Sequence, residues 1–454
     1  MGFINKILFF VGLSVPLAYL GSFGRIIADE YCMCANLLQL EQNVFEAAFS
    51  DIMPFSMLVQ AIFSHLVILN FGQSIASSLA FLLFFWSTWF VVYRFATWRD
   101  TDNGNHYFAL SGVVSFAVFV STLLSAGLLL PGMFEALTQQ TFIGQTFFRY
   151  PGIPVVHAAH LTLVGIAFWL AGLKKRFVVP SIALSVVVGM LAGLSHYLLA
   201  AVFAFLVAAM YWKSILNWRR EISLNGEQIA RPLGTFVGLG AGLAFSLFSD
   251  EAESRISQFE AQYWTVPPTD RLVAIVLDPI WVLASLSSFS VVMGLVMGVL
   301  LERRFGLASR LQLKVKPLLK FSLVFLSYCM AVSLLASLVS YSAPWHGIAP
   351  RYLIAILSVA LGIALAAERL RRFVISRTAS VIASLTLMVG AFGITLAWAN
   401  GLPKAWESGH LPMQTVREGP GSGIIWQDTD KMASLECYLE IEHRLPERKT
   451  NLVD

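Results

Sequence analysis

Long apolar runs, separated by short polar segments, follow one another along almost the whole chain. A helix needs roughly 20 mostly apolar residues to cross about 30 Å of hydrocarbon, and most of the runs approach that length. They lie at about 7–24, 53–71, 74–93, 107–130, 152–173, 178–212, 233–249, 272–300, 321–341, 352–367 and 379–398. The pattern predicts a transmembrane helical domain over residues 1–398, followed by a C-terminal tail at 399–454.

The run at 178–212 is too long for a single span. Reading it as two short helices that meet at Ser195, His196 and Tyr197 places the basic residues before and after the run on the same side. We therefore predict a short helical hairpin here.

The run at 53–71 differs from the others because it follows Pro54 and contains several polar residues. These are Ser56, Gln60, Ser64, His65 and Asn70. A helix of this kind can lie in the membrane interface or re-enter from one side, so we predict that 53–71 does not cross. In the competing interpretation it crosses, and the N-terminus is then outside.

Loops rich in Lys and Arg stay in the cytoplasm, so the basic residues give a test of the topology. The strongest basic clusters lie at 94–99, 174–176, 213–220, 303–320 and 368–372. Counting spans backwards from 368–372 places every cluster inside, and the count works back to a cytoplasmic N-terminus only if 53–71 does not cross. The chain is then an all-α integral membrane protein of about 11 transmembrane helices, with a cytoplasmic N-terminus, an extracytoplasmic C-terminus and a long first outer loop carrying interfacial helices.

Composition agrees with a membrane protein and excludes several classes. Hydrophobic residues make up 57% of the chain and charged residues only 13%, whereas about a quarter is usual for soluble domains. The formal net charge of +4 gives no support for nucleic-acid binding. The sequence also lacks a Walker A motif, G-x-S-x-G, H-E-x-x-H and a dinucleotide-binding fingerprint.

An acidic pair, Asp29 and Glu30, directly follows the first span in the segment RIIADEYCMC. On the adopted topology this pair lies outside, near the headgroups, where a general base can reach an acceptor hydroxyl while a second substrate stays in the lipid. The alternative is an ordinary solvated loop that tolerates acidic residues.

A short later loop, YSAPWHGIAPRYL, contains Trp345, His346, Arg351 and Tyr352. The planar guanidinium of an arginine can donate two hydrogen bonds to a phosphate, and a tryptophan beside it suits a sugar or an isoprenoid. The alternative is an interfacial anchor, since Trp, Tyr and Arg are common at this depth in membrane proteins.

The second outer loop and the span that follows contribute Arg149, His157 and His160. The two histidines are three residues apart and therefore share one helical face. We predict that they line a substrate cavity together with His196 and Tyr197, since ionisable groups within span boundaries usually face a cavity or a partner. A histidine pair can also bind zinc, but no third ligand has suitable spacing.

The layout resembles the GT-C class of membrane glycosyltransferases. The residues that carry the resemblance are ADEYC at 28–32 after the first span, supported by APRYL at 349–353 in a later outer loop. The resemblance implies that Asp29 is the catalytic base, that Glu30 is its catalytic neighbour and that Arg351 holds the donor phosphate. The tail lacks a WWDYG-like motif, which speaks against an oligosaccharyltransferase subunit.

The resemblance also implies the partners. The donor is a sugar on a polyprenyl phosphate in the bilayer, and the acceptor is a glycan, a lipid or a protein at the extracytoplasmic face of a bacterial inner (plasma) membrane. No cofactor is required, although a divalent cation (Mg or Mn) can assist departure of the phosphate. We expect no stable metal site.

Two other functions fit the same layout. A lipid-linked saccharide transporter or flippase would need basic residues deep in several spans, and an O-antigen polymerase or ligase would rely on arginines in a large late outer loop. Neither pattern is prominent in this sequence.

Overall fold

The computed structural model describes residues 3–22, 53–97, 104–125, 152–173, 178–195, 197–217, 226–248, 290–340 and 348–370, together with isolated positions at 267, 269 and between 376 and 386. Within these ranges the secondary structure is helical, without a strand. The predicted tail at 399–454 lies outside the described residues.

The helices follow the apolar runs of the sequence. They are α1 (Phe3–Gly21), α2 (Pro54–Phe63), α3 (Gln73–Thr97), α4 (Gly104–Ser125), α5 (Gly152–Gly172), α6 (Val178–Gly193), α7 (Tyr197–Asn217), α8 (Gly226–Leu247), α9 (described over 290–305), α10 (Leu307–Arg310), α11 (Val315–Ser340) and α12 (Ile348–Glu368).

Three segments of the described chain are long and apolar enough to cross a membrane. They are Ser74–Thr97 in α3, Pro154–Gly172 in α5 and Val315–Val332 in α11. Shorter apolar stretches lie in α1, α4, α6, α7 and α12 and over Pro54–Ile68. The helical fold and the membrane-associated character expected from the sequence are thus present, and the number of spans stays a prediction.

The predicted division of the run at 178–212 is confirmed. Helix α6 ends at Gly193 and α7 begins at Tyr197, so two helices take the place of one long run. The two helices pack against each other within the same bundle.

Pairs of contacts at different heights give the relative directions of packed helices. Helix α1 runs antiparallel to α3, because Trp86 Nε1 donates to Ser14 Oγ at 3.0 Å while Ser78 Oγ donates to Ala18 O at 2.8 Å. Helix α5 runs parallel to α3, because the hydroxyl oxygens of Ser87 and Thr162 are 3.0 Å apart and Gly165 lies against Phe90.

The rest of the bundle also contains both antiparallel and parallel pairs of helices. Tyr328 Oη in α11 donates to Ala201 O in α7 at 2.8 Å, and Phe205 packs on Phe321, so these two helices are antiparallel. Helices α9 and α12 are parallel, since Gly294 lies against Ser358 and Gly298 against Ile363.

As a result, the bundle has two chemically different ends. The end where α3 and α12 finish, here called the basic end, carries all the described Lys and Arg residues except Arg351. They are Lys6, Arg94, Lys213, Arg231, Arg303, Arg304, Arg310, Lys314, Lys316, Lys320 and Arg369. The opposite end, here called the far end, includes the C-termini of α1 and α6 and the N-termini of α3, α5, α7 and α12.

The segment 54–71 begins and ends at the far end. Its first helix starts with Pro54 beside the C-terminus of α6, where the Phe55 amide donates to Leu194 O at 3.0 Å. A π-helical turn (Ser64–Ile68) and a last turn (Leu69–Phe71) lead to Gly72, after which α3 starts beside Gly21 of α1. The segment therefore does not traverse the bundle.

Glycines allow the closest helix packing, between α6 and α8. A Cβ at Gly189 would overlap the Thr235 carbonyl, and one at Gly238 would overlap the Val186 carbonyl. Gly189 and Gly193, which have GxxxG spacing, therefore lie in a helix interface, as do Gly294 and Gly298, which pack on α12.

Aromatic side chains fill the centre of the bundle. Phe81, Phe84 and Phe85 of α3 are fully buried and surround Phe119 of α4 with ring-centroid distances of 6.0 to 6.4 Å. Trp89 Nε1 finds its acceptor in Phe108 O at 3.0 Å, so the indole is buried without losing its hydrogen bond.

Several helices begin earlier than the apolar runs predict. Helix α11 starts at Val315 rather than 321 and includes Lys316 and Lys320, while α8 starts at Gly226 rather than 233 and includes Arg231. The two lysines extend to water, whereas the buried Arg231 donates to helix carbonyls, so charge is a poor guide to where these helices begin.

Candidate functional site

The described candidate residues meet near the far end, on the inner side of α5. His157 and His160 share one face of this helix, as the sequence predicted, and their ring centroids are 6.2 Å apart with planes at 63°. His160 is buried, with 8% of its surface exposed. The Phe55 ring of α2 lies 6.3 Å from His160, so the start of the 54–71 segment covers the histidine.

A small cavity of about 40 Å³ lies beside the two histidines. Five helices form its walls: α3 through Phe84, α5 through the histidines, α6 through Ala192, α7 through Phe203 and α12 through Leu353. Apart from the imidazoles, the lining is apolar. The cavity has room for a few water molecules or for the end of an apolar group, and it is too small for a whole sugar.

Three further candidates lie on helix turns next to this cavity. Tyr197 is the first residue of α7, and Arg351 and Tyr352 lie in the first turns of α12. Because Phe203 and Leu353 of these same helices line the cavity, the backbone brings the starts of α5, α7 and α12 together. Segments that are distant in the sequence therefore converge at one place.

The remaining candidates lie outside the described residues. They are Asp29, Glu30, Arg149, His196, Trp345 and His346. Each is nevertheless close in sequence to a described helix end at the far end: Asp29 follows Ser22 by seven residues, and Arg149 precedes Gly152 by three.

The charge distribution makes these undescribed residues important. The acidic residues of the described chain, Glu227, Glu302 and Glu368, all lie at the basic end. Within the same ranges, Arg351 alone brings a formal charge to the far end. The described residues of the far end include no carboxylate. A general base there is therefore either a histidine or a residue of another segment, such as the one containing Asp29 and Glu30.

No protein-family model, curated protein or solved structure matches this chain. The residues themselves therefore carry the functional argument. Of the described residues, no group of three or more His, Cys, Asp or Glu side chains is arranged to hold a metal ion. The histidine pair offers at most two ligands to a cation in this part of the chain.

Several cavity residues were not predicted from the sequence. Phe84, Phe203 and Leu353 are apolar residues within apolar helices, and nothing in their local pattern separates them from lipid-facing neighbours. For Phe55 a weak signal existed, because Pro54 marks a helix start and is followed by a polar-interrupted run.

Proposed function

We propose that the protein is a GT-C-type membrane glycosyltransferase with about eleven spans, which transfers a sugar from a polyprenyl-phosphate donor to an acceptor at the far end of the bundle. The far end would be extracytoplasmic and the basic end cytoplasmic, in accordance with the positive-inside rule. The acceptor is a glycan, a lipid or a protein.

One observation carries this proposal: the candidate residues belong to segments that meet at, or adjoin, the far end. His157, His160, Tyr197, Arg351 and Tyr352 lie on three helices around one cavity. The course of 54–71 supports the proposal, since α1 ends at the far end and 54–71 both starts and ends there.

In the proposed reaction Asp29 accepts the proton of the acceptor hydroxyl while that oxygen attacks the anomeric carbon of the donor. The bond between the anomeric carbon and the phosphate oxygen breaks, and polyprenyl phosphate leaves with the electron pair. Arg351, helped by Arg149, stabilises the negative charge on the phosphate. Glu30 stands beside the base, and a divalent cation shared with Glu30 is compatible with the same reaction.

The other candidates would orient the two substrates. Trp345 and His346 precede α12 and would contact the sugar, while His157, His160 and His196 would form the polar part of the pocket floor. Tyr197 and Tyr352 would contribute hydroxyl groups near the headgroup level.

The test compares two carboxylates in the same loop. In membranes containing the full-length protein, radiolabelled sugar on a polyprenyl phosphate is supplied and its transfer to endogenous acceptors is measured. Asp29→Asn should lower transfer by about a hundredfold or more, because a general base typically contributes at least that factor. Asp51→Asn, which removes a carboxylate from the same loop, should retain activity. Full activity of Asp29→Asn would overturn the assignment of the base.

The transporter alternative has less support from the described residues. A path for a charged lipid-linked saccharide would need cations along the bundle interior. Arg231 is buried, with 7% of its surface exposed, but it lies at the basic end and its guanidinium donates to helix carbonyls. Its hydrogen bonds point to a structural role.

A further inference from the structure

A second charged surface lies at the basic end, far from the cavity. It is formed by residues 303–320, here called the basic turn, which connect the end of α9 to the first turns of α11. The basic turn contains Arg303, Arg304, Arg310, Lys314, Lys316 and Lys320 and has no acidic residue. Six positive charges in so short a stretch need a partner or abundant water.

The backbone of the basic turn is firmly held. Gly306 adopts a left-handed conformation with φ 61°, which lets α9 end and α10 begin at once. The Glu302 carboxylate accepts the Ala308 amide at 2.7 Å, and the Leu313 amide donates to Ala308 O at 2.9 Å. Leu307 is fully buried beneath this turn.

A contact from α4 ties the basic turn to the rest of the bundle. Tyr107 Oη donates to the Arg310 carbonyl at 2.9 Å, and Tyr107 itself is buried. A backbone fixed at both ends loses little entropy when a ligand binds, so the charged side chains are presented as a prepared surface.

The cationic side chains point away from this core. Arg304, Arg310, Lys314, Lys316 and Lys320 are all exposed. Lys316 and Lys320 are four residues apart and therefore share one face of α11.

That face continues as an exposed apolar stripe. Leu319, Leu323 and Val324 have 44%, 57% and 50% of their surface exposed. Helix α11 is also the least buried of the three segments long enough to cross a membrane. One helix face thus carries lysines near the end of the bundle and large apolar side chains directly next to them.

We propose that the basic turn and the adjoining face of α11 form a binding site for an anionic phospholipid. The headgroup phosphate would accept hydrogen bonds from Lys316, Lys320 and the arginines, while the acyl chains lie along Leu323 and Val324. Charge complementarity and the apolar continuation favour a lipid over a free anion, since basic pockets beside membrane helices bind acidic headgroups. This site is independent of the proposed sugar transfer.

The experiment uses full-length protein in a neutral detergent and native mass spectrometry with added phosphatidylglycerol or phosphatidylcholine. The wild-type protein should bind phosphatidylglycerol in preference to phosphatidylcholine. Replacing Lys314, Lys316 and Lys320 together with glutamine should weaken phosphatidylglycerol binding about tenfold. The matched variant with arginine at the same three positions keeps the charge and should bind as the wild type does.

Three results would overturn the proposal. One is equal binding of both lipids by the wild-type protein, and another is unchanged phosphatidylglycerol binding by the glutamine variant. The third is displacement of bound phosphatidylglycerol by millimolar inorganic phosphate as effectively as by added phosphatidylglycerol. That result would indicate a simple anion site. If the glutamine variant changes the balance of monomer and dimer while lipid binding is unchanged, the face is a protein contact instead.

A wild-type measurement keeps the test decisive if the glutamine variant does not fold. Phosphatidylglycerol should raise the thermal unfolding temperature more than phosphatidylcholine at low salt, and the difference should shrink at high salt because free ions screen exposed charges. A lipid preference that is insensitive to salt would contradict a site built on Lys and Arg.

Discussion

Arg231 shows how a single charged residue is accommodated in an apolar bundle. Its Nε donates to Ser181 Oγ at 2.9 Å, and its Nη1 donates to the carbonyls of Leu170 and Leu173, each at 3.0 Å. Those carbonyls belong to the last turn of α5 and the residue after it, and Leu170 O also accepts the Leu173 amide at 3.2 Å. One guanidinium thereby joins α5, α6 and α8.

Arg231→Met should lower the thermal unfolding temperature of the detergent-solubilised protein clearly. The methionine fills similar space but removes a donor from Ser181 Oγ, Leu170 O and Leu173 O, at a cost of about 1–3 kcal/mol for each buried group that stays unsatisfied. Arg231→Lys should fall in between, because a lysine keeps the charge but lacks the planar fork. The control is Arg369→Met at the same end, which removes an exposed arginine. Equal unfolding temperatures for Arg231→Met and Arg369→Met would contradict this role.

At the scale of helices, the contact between α6 and α8 depends on small residues along both partners. Gly234, Gly238 and Gly242 of α8 follow one another at four-residue intervals and lie against Ile182, Val186 and Met190 of α6, so the two helices run parallel. Without a solvent-driven force between membrane helices, such close backbone approach is a main source of association.

Gly238→Ala should therefore destabilise the bundle by roughly 1–3 kcal/mol, since the added methyl group overlaps the Val186 carbonyl and the helices must separate. Gly240→Ala is the matched control on the same helix, because a Cβ there meets no atom within 4 Å. Thermal unfolding of the two variants, followed by tryptophan fluorescence, provides the comparison. Gly240→Ala should keep or slightly raise stability, because alanine has a higher helix propensity than glycine. An equal loss of stability in both variants would contradict a role of the interface.

The sequence predicted the helices better than it predicted the site. Apolar length alone located α3, α5 and the hairpin of α6 and α7, because lipid-exposed and buried positions are both apolar in a membrane bundle. The starts of α8 and α11 were predicted too late, because basic residues lie in their first turns. The cavity was beyond prediction, because Phe84, Phe203 and Leu353 acquire their role only through the packing of three separate helices. The facing pair of histidines was predictable, since helical spacing is local.

At the scale of the whole molecule, the main untested prediction is which side of the membrane each end faces. The natural cysteines offer a direct test, since Cys32 and Cys34 lie in the first loop and Cys329 is buried in α11. In sealed right-side-out vesicles under reducing conditions, a Cys437→Ser variant should react with a membrane-impermeant maleimide through Cys32 and Cys34.

A cysteine in the basic turn provides the opposite signal. Ser309→Cys, at an exposed position of α10, in a background without Cys32, Cys34 and Cys437, should be labelled only after the vesicles are permeabilised. Labelling of the first loop only after permeabilisation would place Asp29 in the cytoplasm and remove the proposed active site from the outer face.

The return of 54–71 to its starting end also matters for how the chain enters a membrane. During insertion, each helix that crosses the membrane reverses the direction in which the following helices cross. A segment that returns to the side from which it started leaves the direction of the following helices unchanged. The length and composition of 54–71 can therefore vary without inverting the helices after it.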